Sequence, residues 1–85
     1  MNINNFGLLN TLFGIINNGE QDNDYAVAAF LLRNIDRVKD LSVNEVIDQA
    51  YTTRSAVRRF CQRIGYDNFS QFKQSITQII FPSNL

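Results

Sequence analysis

Apolar residues recur along this chain at intervals of three and four positions, the spacing that places side chains on one face of an α-helix. Five stretches show the pattern, and they predict helices over about residues 5–17, 25–34, 43–50, 54–64 and 70–80. Between the second and third stretches, Val38 and Leu41 predict a short helical turn that continues the apolar contacts. The predicted fold class is all-α: one five-helix domain over residues 1–81, with residues 82–85 as a tail or linker start after Pro82.

Polar residues and glycine mark where the first three helices stop and start. The Asn-Asn-Gly sequence at 17–19 ends the first helix, and Asp22 or Asp24 caps the second. At the third helix, Ser42 and Glu45 fit a capping box. In that arrangement the Ser42 hydroxyl accepts a hydrogen bond from the Glu45 amide, and the Glu45 carboxylate reaches back. The third helix is therefore predicted to begin directly after Ser42.

The fourth helix has a signal at both ends. Thr53 is a good N-cap, and Gly65 stands where a left-handed residue would terminate the helix, before a fifth helix whose start is signalled by Asp67 or Asn68. The third helix is only about two turns long, and a few residues separate it from the fourth. Two short helices joined by a tight turn are typical of a helix-turn-helix motif. We therefore predict a homeodomain-like arrangement in which the third helix supports the fourth, and the fourth reads DNA.

Length and composition are those of one globular domain. The chain has 85 residues and is 45% hydrophobic, far from the low hydrophobicity and high charge of disordered segments. No apolar run approaches the roughly 20 residues that cross a bilayer, and the N-terminus lacks the positive charge that opens a secretory signal. The sequence therefore predicts a cytoplasmic protein with no membrane partner.

Residue usage argues against an enzyme. The chain has no histidine, the commonest general base and neutral metal ligand, and it has no glycine-rich phosphate loop. Its single cysteine, Cys61, cannot form an internal disulfide and lies in an apolar helical pattern. We predict that it is a packed thiol rather than a nucleophile. No catalytic residue, metal or cofactor is expected.

The charges are divided along the chain, although the formal net charge is zero. Residues 1–49 hold three basic and seven acidic residues, a net charge of −4, whereas residues 50–85 hold five basic and one acidic, a net charge of +4. No Asp or Glu lies between residues 49 and 66, so the arginines of the fourth helix have no acidic partner at helical spacing. This asymmetry indicates a surface that binds a polyanion.

The outer face of the fourth helix carries the side chains that a recognition helix needs. Short polar residues and arginines at its N-terminal end can reach base edges in the major groove, and other cations and hydroxyls can contact phosphates. The candidate base readers are Arg54, Ser55 and Arg58. The candidate phosphate contacts are Thr52, Thr53, Arg59, Arg63 and Lys73. Double-stranded DNA is therefore the predicted partner.

Residues 34–73 also resemble the N-terminal helix-turn-helix domain of the RpiR family of bacterial sugar-metabolism regulators. The resembling segments are Leu-Ser-Val at 41–43, Glu-Val at 45–46, Thr-Arg-Ser-Ala-Val-Arg-Arg-Phe at 53–60, Ile-Gly-Tyr at 64–66 and Phe-Ser-Gln-Phe-Lys at 69–73. Two positions depart from the family pattern. Ala56 stands where the family usually has threonine, which removes a hydroxyl contact, and Asn68 stands where it usually has glycine, which leaves the loop geometry there open.

The resemblance implies a transcription regulator of carbohydrate genes. Such regulators respond to a phosphorylated sugar through an isomerase-like domain, and that domain is absent from this chain. A homodimer on DNA is also expected, because one short recognition helix reads few base pairs. Its predicted surface is the apolar stripe of the first helix, formed by Phe6, Leu9, Phe13 and Ile16 and flanked by Leu8, Leu12 and Ile15.

An alternative reading treats the chain as a protein-interaction or dimerisation module that reads no DNA. In it the first-helix stripe and the apolar end of the fifth helix, with Ile76, Ile79, Ile80 and Phe81, form a partner-binding surface. The competing assignment of the same residues is the internal core, since so small a domain needs its apolar faces for folding. The sequence leaves both assignments open.

Overall fold

The computed structural model describes residues 4–18 and 22–82, with side chains from residue 7 onward. This part of the chain is all-α, as predicted, and contains five α-helices and no strand. The α-helices are α1 (Asn4–Asn17), α2 (Asn23–Arg33), α3 (Val43–Gln49), α4 (Arg54–Arg63) and α5 (Phe69–Ile80). The predictions made for the Phe6 side chain, for Gly19 and for residues 83–85 lie outside the described residues.

The connection from α2 to α3 is a 3₁₀ helix over Ile35–Asp40, where the sequence predicted a short helical turn. Its backbone is non-helical at Arg37, so the segment bends there. Val38 and Leu41 are fully buried, and the Leu41 amide donates to the Val38 carbonyl at 3.2 Å. The bend thus lets one short connection deliver two side chains to the core.

Side-chain caps start four of the helices. Each cap oxygen accepts a hydrogen bond from the amide three residues on, which satisfies one of the free donors of the first turn. The pairs are Asp22 with Tyr25, Ser42 with Glu45, Thr53 with Ala56 and Asn68 with Gln71, at 2.9–3.1 Å. The caps predicted at residues 42 and 53 are confirmed. For α2 and α5 the sequence left two candidate caps each, and the structure uses Asp22 and Asn68.

The second half of the predicted capping box at α3 is wrong. The Glu45 carboxylate does not reach back to the start of its helix but accepts a hydrogen bond from Arg37 Nη1 at 3.1 Å. The 3₁₀ helix that precedes α3 places Arg37 beside it, and a guanidinium offers a charged donor in place of the neutral amide. Ser42 alone therefore caps α3.

The core joins the inward faces of all five α-helices. Its largest fully buried side chains include Leu12 of α1, Leu31 of α2, Val46 of α3, Phe60 of α4, and Phe72 and Ile76 of α5. Phe72 packs edge-on against Tyr66, with ring centroids 5.8 Å apart. Cys61 is also fully buried, and burial raises the pKa of its thiol to about 11. The thiol is therefore protonated at neutral pH. Its burial confirms the sequence prediction of a packed thiol.

The end of α4 is a Schellman motif. Gly65 has φ of 104°, its amide donates to the Gln62 carbonyl at 3.1 Å, and the Tyr66 amide donates to the Cys61 carbonyl at 2.9 Å. The predicted role of Gly65 as a left-handed terminator is confirmed. Among the helices that the structure describes, none has the length and apolar character to cross a membrane.

Candidate nucleic-acid interface

The turn between α3 and α4 comprises residues 50–53. Ala50 is buried, and the Thr52 amide donates to the Ile47 carbonyl at 3.0 Å, which closes the turn against the end of α3. The Thr52 hydroxyl donates to the side-chain carbonyl of Asn23, in the first turn of α2. A neighbouring helix therefore fixes the angle at which the chain enters α4.

Helix α4 has one buried and one exposed face. Ala56, Val57, Phe60 and Cys61 point into the core. The exposed positions form what we call the α4 outer face: Arg54, Ser55, Arg58, Arg59, Gln62 and Arg63. Ala56 is only 8% exposed, so the position where the resemblance expected a lost hydroxyl contact faces the core, where a methyl group packs well.

Three of the candidate residues are free of other contacts. Ser55, Arg58 and Arg59 are exposed and make no hydrogen bond or ion pair with the described part of the chain. A ligand that binds here displaces only water from these side chains. The two arginines are therefore available to an anion without the loss of an internal partner.

Arg54 and Lys73 are held by neutral partners. Arg54 Nη2 donates to the side-chain oxygen of Asn44 at 2.8 Å, and Lys73 Nζ donates to the Leu41 carbonyl at 2.9 Å. The Lys73 ammonium also lies 5.9 Å from the centre of the Phe69 ring. These contacts orient both cations but leave their charges uncompensated, because neither partner is an anion.

Arg63 is the one arginine of α4 whose charge is compensated by an acidic partner among the described residues. Its guanidinium forms a two-pronged ion pair with Asp24 of α2, with Nε 2.9 Å from Oδ2 and Nη2 bonded to Oδ1. The hydrogen bond to the Asp24 carboxylate raises the pKa of Arg63 above its usual value. The lack of nearby acidic residues in the sequence thus leaves three arginines uncompensated, not four, since Asp24 is 39 positions away along the chain.

A groove of about 480 Å³ runs between the first turns of α4 and α5. Its lining residues are Val43, Arg54, Val57, Arg58, Asn68, Phe69, Ser70 and Lys73. Three of them are cations and none is acidic, while the valines and the phenylalanine provide an apolar floor. Asn68, whose loop geometry the resemblance left open, is extended with φ of −160° and caps α5 at the rim. This combination suits a phosphate ester with an apolar body, such as the sugar-phosphate backbone of a nucleic acid.

Two residues of this region, Asn44 and Ser70, were not predicted as site residues from the sequence. Asn44 orients Arg54, and Ser70 places a hydroxyl in the groove. Asn44 lies 10 positions before Arg54, on another helix, so no local spacing connects them. For Ser70 a local signal did exist, because a serine in the first turn of a helix leaves its hydroxyl near free amides.

A bracing helix, a tight turn, and a capped second helix with a free basic face define a helix-turn-helix DNA-binding domain. Comparison with protein families matches residues 11–82 to the helix-turn-helix domain of the rpiR family. Because the match covers most of the chain, the protein belongs to this family of DNA-binding transcription regulators, as the resemblance implied. Comparisons with curated proteins and with solved structures give no significant match.

Proposed function

We propose that the chain binds specific sequences of double-stranded DNA with α4 in the major groove. The observation that carries the proposal is the α4 outer face, where Ser55, Arg58 and Arg59 are exposed and have no hydrogen-bond or ion-pair partner in residues 4–18 and 22–82. Arg54, Ser55 and Arg58 lie in the first half of the helix, the end that reaches base edges in helix-turn-helix complexes. We assign these three residues to base reading.

The groove between α4 and α5 is proposed to hold the DNA backbone on one side of the recognition helix. Lys73 lines it as a fixed cation, and its apolar floor can cover a deoxyribose. Thr53 and Arg59 are assigned to phosphates at the start and on the outer side of α4. The Thr52 hydroxyl can donate to a phosphate only by giving up its bond to Asn23, and the charge of Arg63 is already compensated by Asp24, so we assign both a smaller share of the affinity.

Titration with duplex DNA at several salt concentrations tests this proposal. A protein that neutralises phosphates releases counterions, so the logarithm of affinity falls linearly with the logarithm of salt concentration. We expect Arg59→Gln to lower affinity and to reduce that slope by about 0.9. Arg33→Gln is the matched control, because it removes the same charge from the last turn of α2 and should change neither quantity. Absence of binding to genomic DNA fragments at low salt would refute the proposal.

The regulated genes are proposed to be those of carbohydrate metabolism, with a phosphorylated sugar as the effector and with the cytoplasm as the site of action. The family resemblance supports this assignment. Sequencing the genomic fragments that the chain retains tests it, because they should lie upstream of carbohydrate genes. Retained fragments without such neighbours contradict it.

A homodimer is proposed as the unit that binds DNA, with α1 as the contact surface. Helix α1 has no charged residue over Asn4–Asn17, and Phe13 is 51% exposed. The stripe defined from the sequence divides in the structure, because Leu8 and Leu12 are buried in the core while Leu9, Ile15 and Ile16 are half-buried against it. Among the side chains that the structure describes, the available apolar surface is therefore narrower than the sequence indicated and centres on Phe13.

A further inference from the structure

The turn between α3 and α4 contains a residue in a conformation that its side chain disfavours. Tyr51 has φ of 54°, and it is the one residue other than glycine with a positive φ in the described ranges. The left-handed region crowds the Cβ of an L-residue against the backbone, so a bulky aromatic residue there is an outlier. At the other end of α4 the chain places a glycine, Gly65, in this region. A tyrosine at 51 therefore costs folding free energy that a glycine would not.

The Tyr51 side chain makes no stabilising contact with the described part of the chain. It is 95% exposed, against 51% for Phe13, the next most exposed large hydrophobic residue described. It makes no hydrogen bond, ion pair or ring contact with the described part of the chain. Aromatic residues usually stabilise proteins through the area they bury, and this one buries almost none. A strained residue with no internal contact is typical of a functional position.

Contacts on both sides of Tyr51 fix its backbone. Ala50 is buried, and Thr52 is bonded through its amide to Ile47 and through its hydroxyl to Asn23. Thr53, which follows Thr52, caps α4. The side chain thus extends from a fixed backbone position next to the N-terminal end of α4, the end that approaches DNA in helix-turn-helix complexes.

The chemistry of tyrosine suits contact with nucleic acid at this place. Its hydroxyl can donate a hydrogen bond to a phosphate oxygen, and its ring can pack on a deoxyribose. No acidic residue lies between positions 49 and 66, and the nearest one before Tyr51 is the exposed Asp48 near the end of α3. The nearest exposed charge that follows is that of Arg54, which is basic.

We propose that Tyr51 is a DNA-contact residue whose hydroxyl donates a hydrogen bond to a backbone phosphate at the N-terminal end of α4. The inference rests on the DNA-binding function proposed above and adds a neutral contact to its charged ones. A neutral donor adds affinity without releasing a further counterion. Its loss should therefore weaken binding at every salt concentration by the same factor, unlike the loss of Arg59.

The test compares thermal unfolding with DNA binding in the same variants. Tyr51→Gly should raise the unfolding temperature by a few degrees, because glycine accepts the positive φ. It should lower the affinity for duplex DNA about tenfold with no change in salt slope. Tyr51→Phe keeps the ring and the strain, so it should keep wild-type stability and still lose affinity. Gln49→Ala, an exposed change at the end of α3, is the control and should alter neither property.

Three results discriminate between the possibilities. Unchanged DNA affinity in Tyr51→Gly, with the wild-type chain binding in the same assay, overturns the proposal. A lower unfolding temperature in that variant also overturns it, since the ring would then serve the fold. A wild-type chain that binds no duplex DNA contradicts the DNA-binding function instead. The assay therefore distinguishes failure of the Tyr51 contact from failure of the DNA-binding function.

Discussion

At the scale of single residues, the basic side chains of this domain differ in how they are held. Arg58 is exposed and has no partner within the described residues, whereas Lys73 is half-buried and donates to the Leu41 carbonyl. A free arginine can adjust to the two acceptors of a guanine, while an ammonium tied at one point offers a charge at a fixed position. The two residues line the same groove, where Arg58 is expected to contact a base and Lys73 to contact a phosphate.

Replacing each of these residues by alanine should separate the two roles. Arg58→Ala should cost about 1–3 kcal/mol on the specific site and much less on random DNA, because it removes a base contact. Lys73→Ala should weaken binding to both DNAs by a similar factor and lower the salt slope. It should also destabilise the fold by about 1 kcal/mol, since the Leu41 carbonyl loses its donor. Equal losses on specific and random DNA for Arg58→Ala would show that it does not read bases.

At the scale of elements, the start of α4 is held by its cap and by the residue that precedes the cap. The Thr53 hydroxyl accepts from the Ala56 amide at 3.1 Å, and Thr52, directly before it, is tied to α2. The cap satisfies a free donor, and the tie sets the direction of the helix. The recognition helix is thus fixed at the end that is proposed to approach DNA.

Substitutions at Thr53 can separate the cap from DNA binding. Thr53→Ala should destabilise the protein by about 1 kcal/mol in chemical denaturation, because the cap is lost. Thr53→Asp keeps a good cap oxygen and should retain wild-type stability, yet its negative charge should weaken DNA binding strongly. Wild-type affinity in Thr53→Asp would place the start of α4 away from the phosphates.

At the scale of the whole molecule, the opposite charges of the two halves are only partly brought together. Asp24 of the acidic half pairs with Arg63 of the basic half, while Arg54, Arg58 and Arg59 keep their charges uncompensated. A protein of zero net charge can therefore present a positive surface along α4. Local field rather than net charge is what attracts DNA to such a surface.

The stoichiometry on DNA tests the proposed homodimer. We expect the mass of the complex on a specific duplex to correspond to two copies of the chain. Phe13→Asp should reduce it to one copy, because it places a charge in the uncharged surface of α1, while Phe13→Leu should leave two copies bound. A single copy per specific site in the wild-type protein, or a dimer unaffected by Phe13→Asp, would contradict the role given to α1.

The sequence by itself determined the features that depend on neighbours along the chain. Helical periodicity indicated five α-helices, Ser42 and Thr53 marked two of their starts, and Gly65 marked one end. The same periodicity separated the buried face of α4 from its exposed arginines. These features were predictable because capping and face assignment involve residues three or four positions apart.

Only the tertiary structure decided which side chains meet across the fold. It paired Arg63 with Asp24, gave Lys73 the Leu41 carbonyl, and closed a groove between α4 and α5. It also divided the α1 stripe, since an apolar pattern shows that a face is hydrophobic but not which part of it a neighbouring helix covers. The physical reason is that these features join residues on different helices, 39 and 32 positions apart in the two hydrogen-bonded pairs, and their approach depends on how the helices pack.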